Sequence, residues 1–322
     1  MIRWLFGVLL CAVAAHVSAQ VPVDSYPSRV VRIVAGSAGV DSDVVARLVA
    51  HRLSQVWGQQ FIVENNGAAG GTIGTAQCAR AAPDGYTLCV GHVGTHASAP
   101  SLYKDLPYDP VRDFAPISQI SSAPIVLVAH PSVAVTTLKD VIGMAQADPG
   151  KLSYSSAGGG TASHLTGELL ATNTNLKLLH VPYKGAGPAL TSVLAGETNL
   201  SFLSLATAVG QIRAGKLKGI TIFGRQRFSV APDVPTAIEQ GYPQLESTAW
   251  FGLFAPARTP EAIINKLNKE VVSMLGTQET QQALLSRGAE PVPTTPQQFS
   301  SFVNQEIQKW ARVVTMSGAR AN

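Results

Sequence analysis

Short apolar runs alternate along almost the whole chain with stretches whose apolar residues recur every three to four positions. The short runs are bounded by Gly, Pro and Asn and read as buried strands, whereas the periodic stretches read as one apolar helix face. Val30–Ala35 is predicted to be a strand, and Val44, Val45, Leu48, Val49, Leu53, Val56 and Trp57 then follow at helical spacing. Further strands are expected at Phe61–Glu64, Tyr86–Val90, Pro124–Ala129, Ser153–Ser156, Leu178–Pro182, Leu200–Leu203, Gly219–Phe223 and Trp250–Ala255. Helices are expected at Thr72–Ala81, Leu138–Ala147, Ser163–Ala171, Gly187–Ala195 and Ala206–Ala214. This alternation predicts an α/β fold with mostly parallel sheets.

Beyond Ala255 the pattern becomes helical. Thr259-Pro260-Glu261 offers a cap and a first-turn proline, and Thr295-Pro296-Gln297-Gln298 has the Thr-x-x-Gln form of a capping box. The final apolar positions, Phe302, Ile307, Trp310 and Val314, lie on this helical C-terminus. Extended seams at Pro116–Pro124 and Thr248–Pro256 divide the chain. They imply a first domain of residues 20–123 plus 251–322 and a second domain, residues 124–250, inserted into it. A ligand is expected in the crevice between them, at the carboxyl ends of the strands.

Composition narrows the class. Charged residues make up 14% of the chain, against about 25% in an ordinary soluble domain, while 46% of residues are hydrophobic. Disordered and fibrous classes are excluded by that apolar content. The net charge is only +4, and no cluster of Lys and Arg is interleaved with aromatics, so nucleic acid is not an expected partner. At the start, Arg3 precedes an apolar run from Trp4 of about eleven residues, and Val17-Ser18-Ala19 forms a small-residue exit. This is the pattern of a signal peptide over residues 1–19, cleaved near Ala19. The run is shorter than the roughly 20 residues a membrane span needs, so the expected product is an exported, soluble protein. Cys78 and Cys89 would remain, and an oxidising compartment permits a bridge between them. Their spacing carries no zinc signature, and the sequence leaves bridged and free thiols both open.

A search for catalytic constellations is negative. Gly-x-Ser-x-Gly and His-Glu-x-x-His are absent. His92 and His96 stand four apart in a loop with no nearby carboxylate, which is not a metal arrangement. Gly210–Lys216 has phosphate-loop spacing, but Leu217 stands where a magnesium-binding hydroxyl belongs, so it reads as a helix ending near Gly215. No cofactor is indicated and no enzyme is expected. The remaining candidates are loops that present backbone N–H groups. Ser155–His164 links a strand to a helix with three glycines between hydroxyls, and such a helix start attracts anions. The plainer reading is a flexible turn with Ser163 as an N-cap. Gly36–Asp43 makes a second such loop, with Ser42 or Asp43 as its expected cap. A third, Gly67–Gly74, matches a dinucleotide fingerprint only loosely and reads better as close helix packing.

Ordered motifs across residues 26–320 carry a resemblance. They include Val63-Glu64-Asn65 with Gly70-Gly71-x-Ile73-Gly74, Pro83-Asp84-Gly85-Tyr86-Thr87-Leu88 and Leu106-Pro107-Tyr108-Asp109-Pro110. Ala157-Gly158-x-Gly160-Thr161-x-Ser163-His164-Leu165, His180-Val181-Pro182-Tyr183-Lys184-Gly185 and Ala249-Trp250-Phe251-Gly252 continue the series. The sequence resembles the substrate-binding proteins of tripartite tricarboxylate transporters, also called Bug receptors. The resemblance implies a periplasmic binding protein of type II, the two-domain Venus flytrap, that closes on a small organic acid or polar molecule. Delivery to transmembrane permease subunits is implied as well, with the receptor acting as a monomer. An orphan sensor that signals to a membrane protein is the alternative. By the same resemblance the ligand contacts are Ser37, Gly39, Asp41 and Ser42 in the first loop and Thr95 and His96 in a turn at the cleft. Ala157, Gly160, Thr161 and Ser163 are the contacts from the second domain.

Two departures from the family pattern bear on the ligand. The first loop lacks the usual aromatic, prolines and Gly-Gly pair, and it carries Asp41 where an anion would be received. Two charges that close interact by roughly 1 kcal/mol or more, so Asp41 is expected to disfavour di- and tricarboxylates. Phe202-Leu203-Ser204 stands where many members have Phe-Asp-Asn, which removes an acid from the second domain's side.

Overall fold

The computed structural model describes residues 25–320. The reading of residues 1–19 as a signal peptide lies outside the described residues. Among those described, no helix is long and apolar enough to cross a membrane.

The first lobe begins with the predicted βα alternation. Strand β1 (Val31–Ala35) leads through a tight loop into helix α1 (Asp41–Trp57), and β2 (Phe61–Asn65), α2 (Thr72–Ala79) and β3 (Thr87–His92) follow. Both β2 and β3 pair in parallel with β1. Val93–Ser98 then winds into a wide turn, and the short helix α3 (Ala99–Leu102) continues it, neither of which the periodicity predicts.

The sheet changes character at β4 (Phe114–Ala129), a 16-residue strand where the sequence marks only its last six residues. Its first part pairs antiparallel with β9 (Thr248–Pro256) and with β10 (Glu290–Pro291). Its last part, Ile125–Ala129, pairs antiparallel with β7 (Leu200–Ser204) and β8 (Lys218–Ile222). One strand therefore belongs to both lobes, because its 16 residues are long enough for different partners to pair along its two halves. In the second lobe, β5 (Ser153–Ser156) pairs in parallel with β6 (Leu179–Pro182) and β7. Eight of the ten strands form one continuous path, β2-β1-β3-β9-β4-β7-β5-β6, with β8 and β10 pairing on β4 beside it, and the sheet is mixed rather than mostly parallel. The departure has a simple cause: the two strands that carry the chain between lobes run against their neighbours.

Helices cover both faces. α4 (Leu138–Ala147), α5 (Ala162–Thr174), α6 (Ala186–Leu194) and α7 (Leu205–Arg213) clothe the second lobe. α8 (Glu261–Leu275), α9 (Gln278–Leu285) and α10 (Pro296–Ser317) return to the first, and the expected capping box at Thr295 and Gln298 opens α10. α8, by contrast, starts at Glu261 without a side-chain cap. One carboxylate ties α10 to the inter-lobe strand: Trp250 and Trp310 both donate their indole N–H to Glu306 Oε2, at 2.9 and 2.8 Å. Cys78 and Cys89 are free, buried thiols, and burial together with the adjacent Cys78 thiol pushes Cys89 well up.

Candidate functional site

A cleft of about 1010 Å³ lies between the lobes. Four backbone turns converge on it, each leading into a helix.

The turn from β1 to α1 is held by Asp43. Its carboxylate accepts from Gly39 N–H at 2.9 Å, Arg47 Nε at 3.0 Å and Asn65 Nδ2 at 2.9 Å. Burial alone would raise its pKa, but these donors outweigh that effect and hold it below the ordinary value. Asp43 is thus a brace, and neither Ser42 nor Asp43 caps the helix; the N-cap is Val40, with no side-chain bond. Asp41 does something else. Its Oδ2 accepts from Ser204 Oγ at 2.6 Å, across the cleft, while Ser204 caps α7 by accepting from Thr207 N–H. Burial raises the Asp41 pKa against the lowering influence of Ser204, Thr207 and more distant Arg287.

The turn from β5 to α5 is pinned by its own hydroxyls. Thr161, not Ser163, is the N-cap, and Ser163 Oγ instead accepts from Ala157 N–H at 3.0 Å. The two hydroxyls lie 2.9 Å apart, and Thr161 Oγ1 also donates to Gly158 carbonyl at 2.8 Å. Gly158 and Gly160 take φ of +124° and +78°, which L side chains resist. Ser98 Oγ, from the turn after β3, donates to Gly160 carbonyl at 2.7 Å, so a second, buried hydrogen bond joins the two walls behind the cleft. The N–H groups of Gly159, Ala162 and Ser163 meet no acceptor among the described residues, and all three residues line the cleft. Unpaired N–H groups at the start of a 13-residue helix form a receptor for a negative oxygen.

A third wall comes from Gly67–Gly71, which the sequence assigns to packing. It does pack: a Cβ on Gly67 would fall 2.7 Å from Ser37 backbone N. The same close approach brings its backbone to the cleft surface, so the packing and lining roles coincide. The fourth turn, Pro182–Ala186, leads from β6 to α6 and brings Lys184 to the rim.

Behind the second loop stands a polar stack. His164 and His180 lie 4.1 Å apart at 10°, and Tyr154 stacks on His180 at 4.9 Å. Tyr154 Oη donates to Glu168 Oε1 at 3.0 Å. His164 Nδ1 accepts from Gly160 N–H, which leaves its Nε2 to face Glu168 at 3.5 Å. Burial and His164 lower His180 to about 4, so it is neutral near pH 7. His180 Nε2 meets Ser156 Oγ at 2.7 Å, but Ser156 is fully buried and does not line the cleft, so the pair braces the loop. His92 accepts Gly94 N–H at Nδ1 and is lowered to about 4 by burial, so it presents Nε2–H to the cleft as a neutral donor.

Of the residues singled out from the sequence, Ser37, Asp41, Ser42, Ala157, Thr161 and Ser163 line the cleft. Gly39, Gly160, Thr95 and His96 do not line it. The wide turn at Val93–Ser98 carries His96 into the core, where it stacks on Phe254 at 4.1 Å and is fully buried. Thr95 is buried too and meets the backbone of His92. Tyr103, Ala319 and Arg320 also line the cleft, and no motif or charge pattern in the sequence points to them; Trp250 and Phe251 line it too, from a motif that the sequence marks without giving it a role at the ligand.

Comparison with known proteins bears on the family and the fold. The family described as tripartite tricarboxylate transporter family receptor matches residues 45–319. Protein BugT of Bordetella pertussis is 35% identical over 326 residues, covering 99% of each chain. A Rhodopseudomonas palustris protein solved with adipate superposes with a TM-score of 0.87 at 33% identity, over 92% of this chain and 99% of its own. MatC from the same organism, solved with bound malate, superposes at 0.83 with 36% identity, over 90% and 100%.

Proposed function

The chain belongs to the tripartite tricarboxylate transporter receptor family, and from that premise we propose that it captures a small organic acid in the periplasm and delivers it to the permease of such a transporter. The acid's carboxylate sits at the start of α5, on the unpaired N–H groups of Gly159, Ala162 and Ser163. This is the observation that carries the reading: the three donors lie within one turn at the start of a 13-residue helix, and none of them meets an acceptor among the described residues. Preorganised amides hold an anion without a salt bridge. The adipate and malate bound in two similar structures support an organic acid as the ligand class.

Closure is proposed to bring together a lobe of residues up to 123 with 251 onward and a lobe of residues 124–250, about β4 and β9. Asp41–Ser204 and Ser98–Gly160 are then contacts of the closed form, and each breaks on opening. The receptor works as a monomer, because both walls of the cleft come from one chain.

A thermal-shift screen of small carboxylates tests the reading. A true ligand at about 100 times Kd stabilises by roughly 2.7 kcal/mol. Replacing Thr161 and Ser163 together by Ala frees the loop from its hydroxyl braces and is expected to weaken the best stabiliser at least tenfold by calorimetry. Unchanged affinity would remove the loop from the site.

A further inference from the structure

The carboxylate site at α5 leaves Asp41 unexplained. It stands at the first turn of α1, on the opposite lobe's wall of the same cleft. Its hydrogen-bond partners are neutral hydroxyls, Ser204 at 2.6 Å with Thr207 beside it. Among the described residues no Lys, Arg or His forms an ion pair with it, although Asp43, two residues on, is paired with Arg47 at 3.0 Å. The other acid facing the cleft, Glu168, is served by Tyr154 and faces His164. Arg287 acts on Asp41 from a distance, without an ion pair, and the basic residues Lys184 and Arg320 lie at the exposed rim, where solvent screens them. A desolvated carboxylate in a binding cleft favours a cation and opposes a second anion. The helix start that could have received a second ligand carboxylate carries the protein's own.

We propose that Asp41 receives an ammonium group of the ligand, so that the preferred occupant is an aminocarboxylate, with its carboxylate at α5 and its amine at α1. The inference rests on the carboxylate reading of α5 for the other end of the molecule. It separates this cleft from one built for a dicarboxylate: each lobe contributes one pole, the N–H groups of the second lobe and the acid of the first. Closure onto a zwitterion places the amine beside the Asp41–Ser204 bond, so charge at that end of the ligand favours the closed form.

Calorimetry on the full mature chain with chain-length-matched probes tests it: 4-aminobutyrate against glutarate and butyrate, and 5-aminopentanoate against adipate. The wild type is expected to prefer the aminocarboxylate at least tenfold over the dicarboxylate of equal length. Asp41→Asn, which preserves an acceptor for Ser204, is expected to abolish or reverse that preference; Asp41→Ser serves as a second variant if melting shows that the first is misfolded. Equal or tighter binding of the dicarboxylate by the wild type overturns the inference, as does a preference that Asp41→Asn leaves unchanged, or no binding of any probe. The Thr161 and Ser163 double variant separates the two readings. If it leaves every probe unaffected while Asp41→Asn still inverts the order, the α5 reading fails and only the amine contact at Asp41 stands.

Discussion

Replacing Glu306 by Ala is expected to lower folding stability by about 2–6 kcal/mol. Two indole donors, Trp250 Nε1 and Trp310 Nε1, converge on one oxygen of this buried acid. Each buried donor left without a partner costs about 1–3 kcal/mol. Lys309 approaches the other oxygen at 3.3 Å and loses its partner too, but it is partly exposed, so it adds little. Glu306→Gln keeps one acceptor oxygen and should lose less than half as much. Urea melts of the two variants check the order. Because Trp250 lies on β9, which carries the chain between the lobes, and lines the cleft, the Ala variant should also bind ligand more weakly. A loss within about 0.5 kcal/mol, the range of ordinary surface substitutions, would show that the two tryptophans do not depend on this acid.

Ser163→Asp is expected to weaken carboxylate binding by more than about 100-fold, or roughly 2.7 kcal/mol. Ser163 is the second residue of α5 and its N–H is unpaired, so an introduced carboxylate would accept the donors that the ligand needs. It would also place a negative charge where an anion must arrive. The protein should not be destabilised by it, since an acid in the first turn of a helix is favourable. Lost binding with an unchanged melting temperature therefore separates competition for the N–H groups from unfolding. Retained affinity would mean that the carboxylate is held elsewhere. The variant reproduces at α5 what Asp41 already does at α1, and that contrast makes it informative about both helix starts.

Much of this architecture is legible in the sequence, because each strand of a βα unit is a short apolar run and each covering helix repeats its apolar residues at a fixed step. The register of β4 was not. Its first ten residues, Phe114–Ala123, mix Ser and Gln with apolar residues; Gln119 and Ser121 are buried because strand pairing, not side-chain polarity, decides their place. The helix caps were legible where side chain and spacing agree, as at Thr295, and not where the loop is braced from inside. Ser163 and Asp43 sit in the right loops, yet their oxygens accept from Ala157 and Gly39 rather than from the helix start. The same limit applies to the site. Sequence pattern finds loops rich in Gly and hydroxyls, but which way a turn coils decides that His92 faces the cleft while His96, four residues on, packs on Phe254. Ser204 could not be joined to Asp41 from sequence either, because 163 residues separate them and only the folded chain brings them together.

The central claim is that a ligand carboxylate rests on the N–H groups at the start of α5. A crystal structure of the mature protein with its tightest thermal-shift stabiliser tests this most directly. The account predicts a carboxylate oxygen within about 3.2 Å of the backbone nitrogens of Ala162 or Ser163, directly or through one bridging water. A carboxylate bound instead at the rim, on Lys184 or Arg320, with the α5 donors facing only solvent, would contradict it.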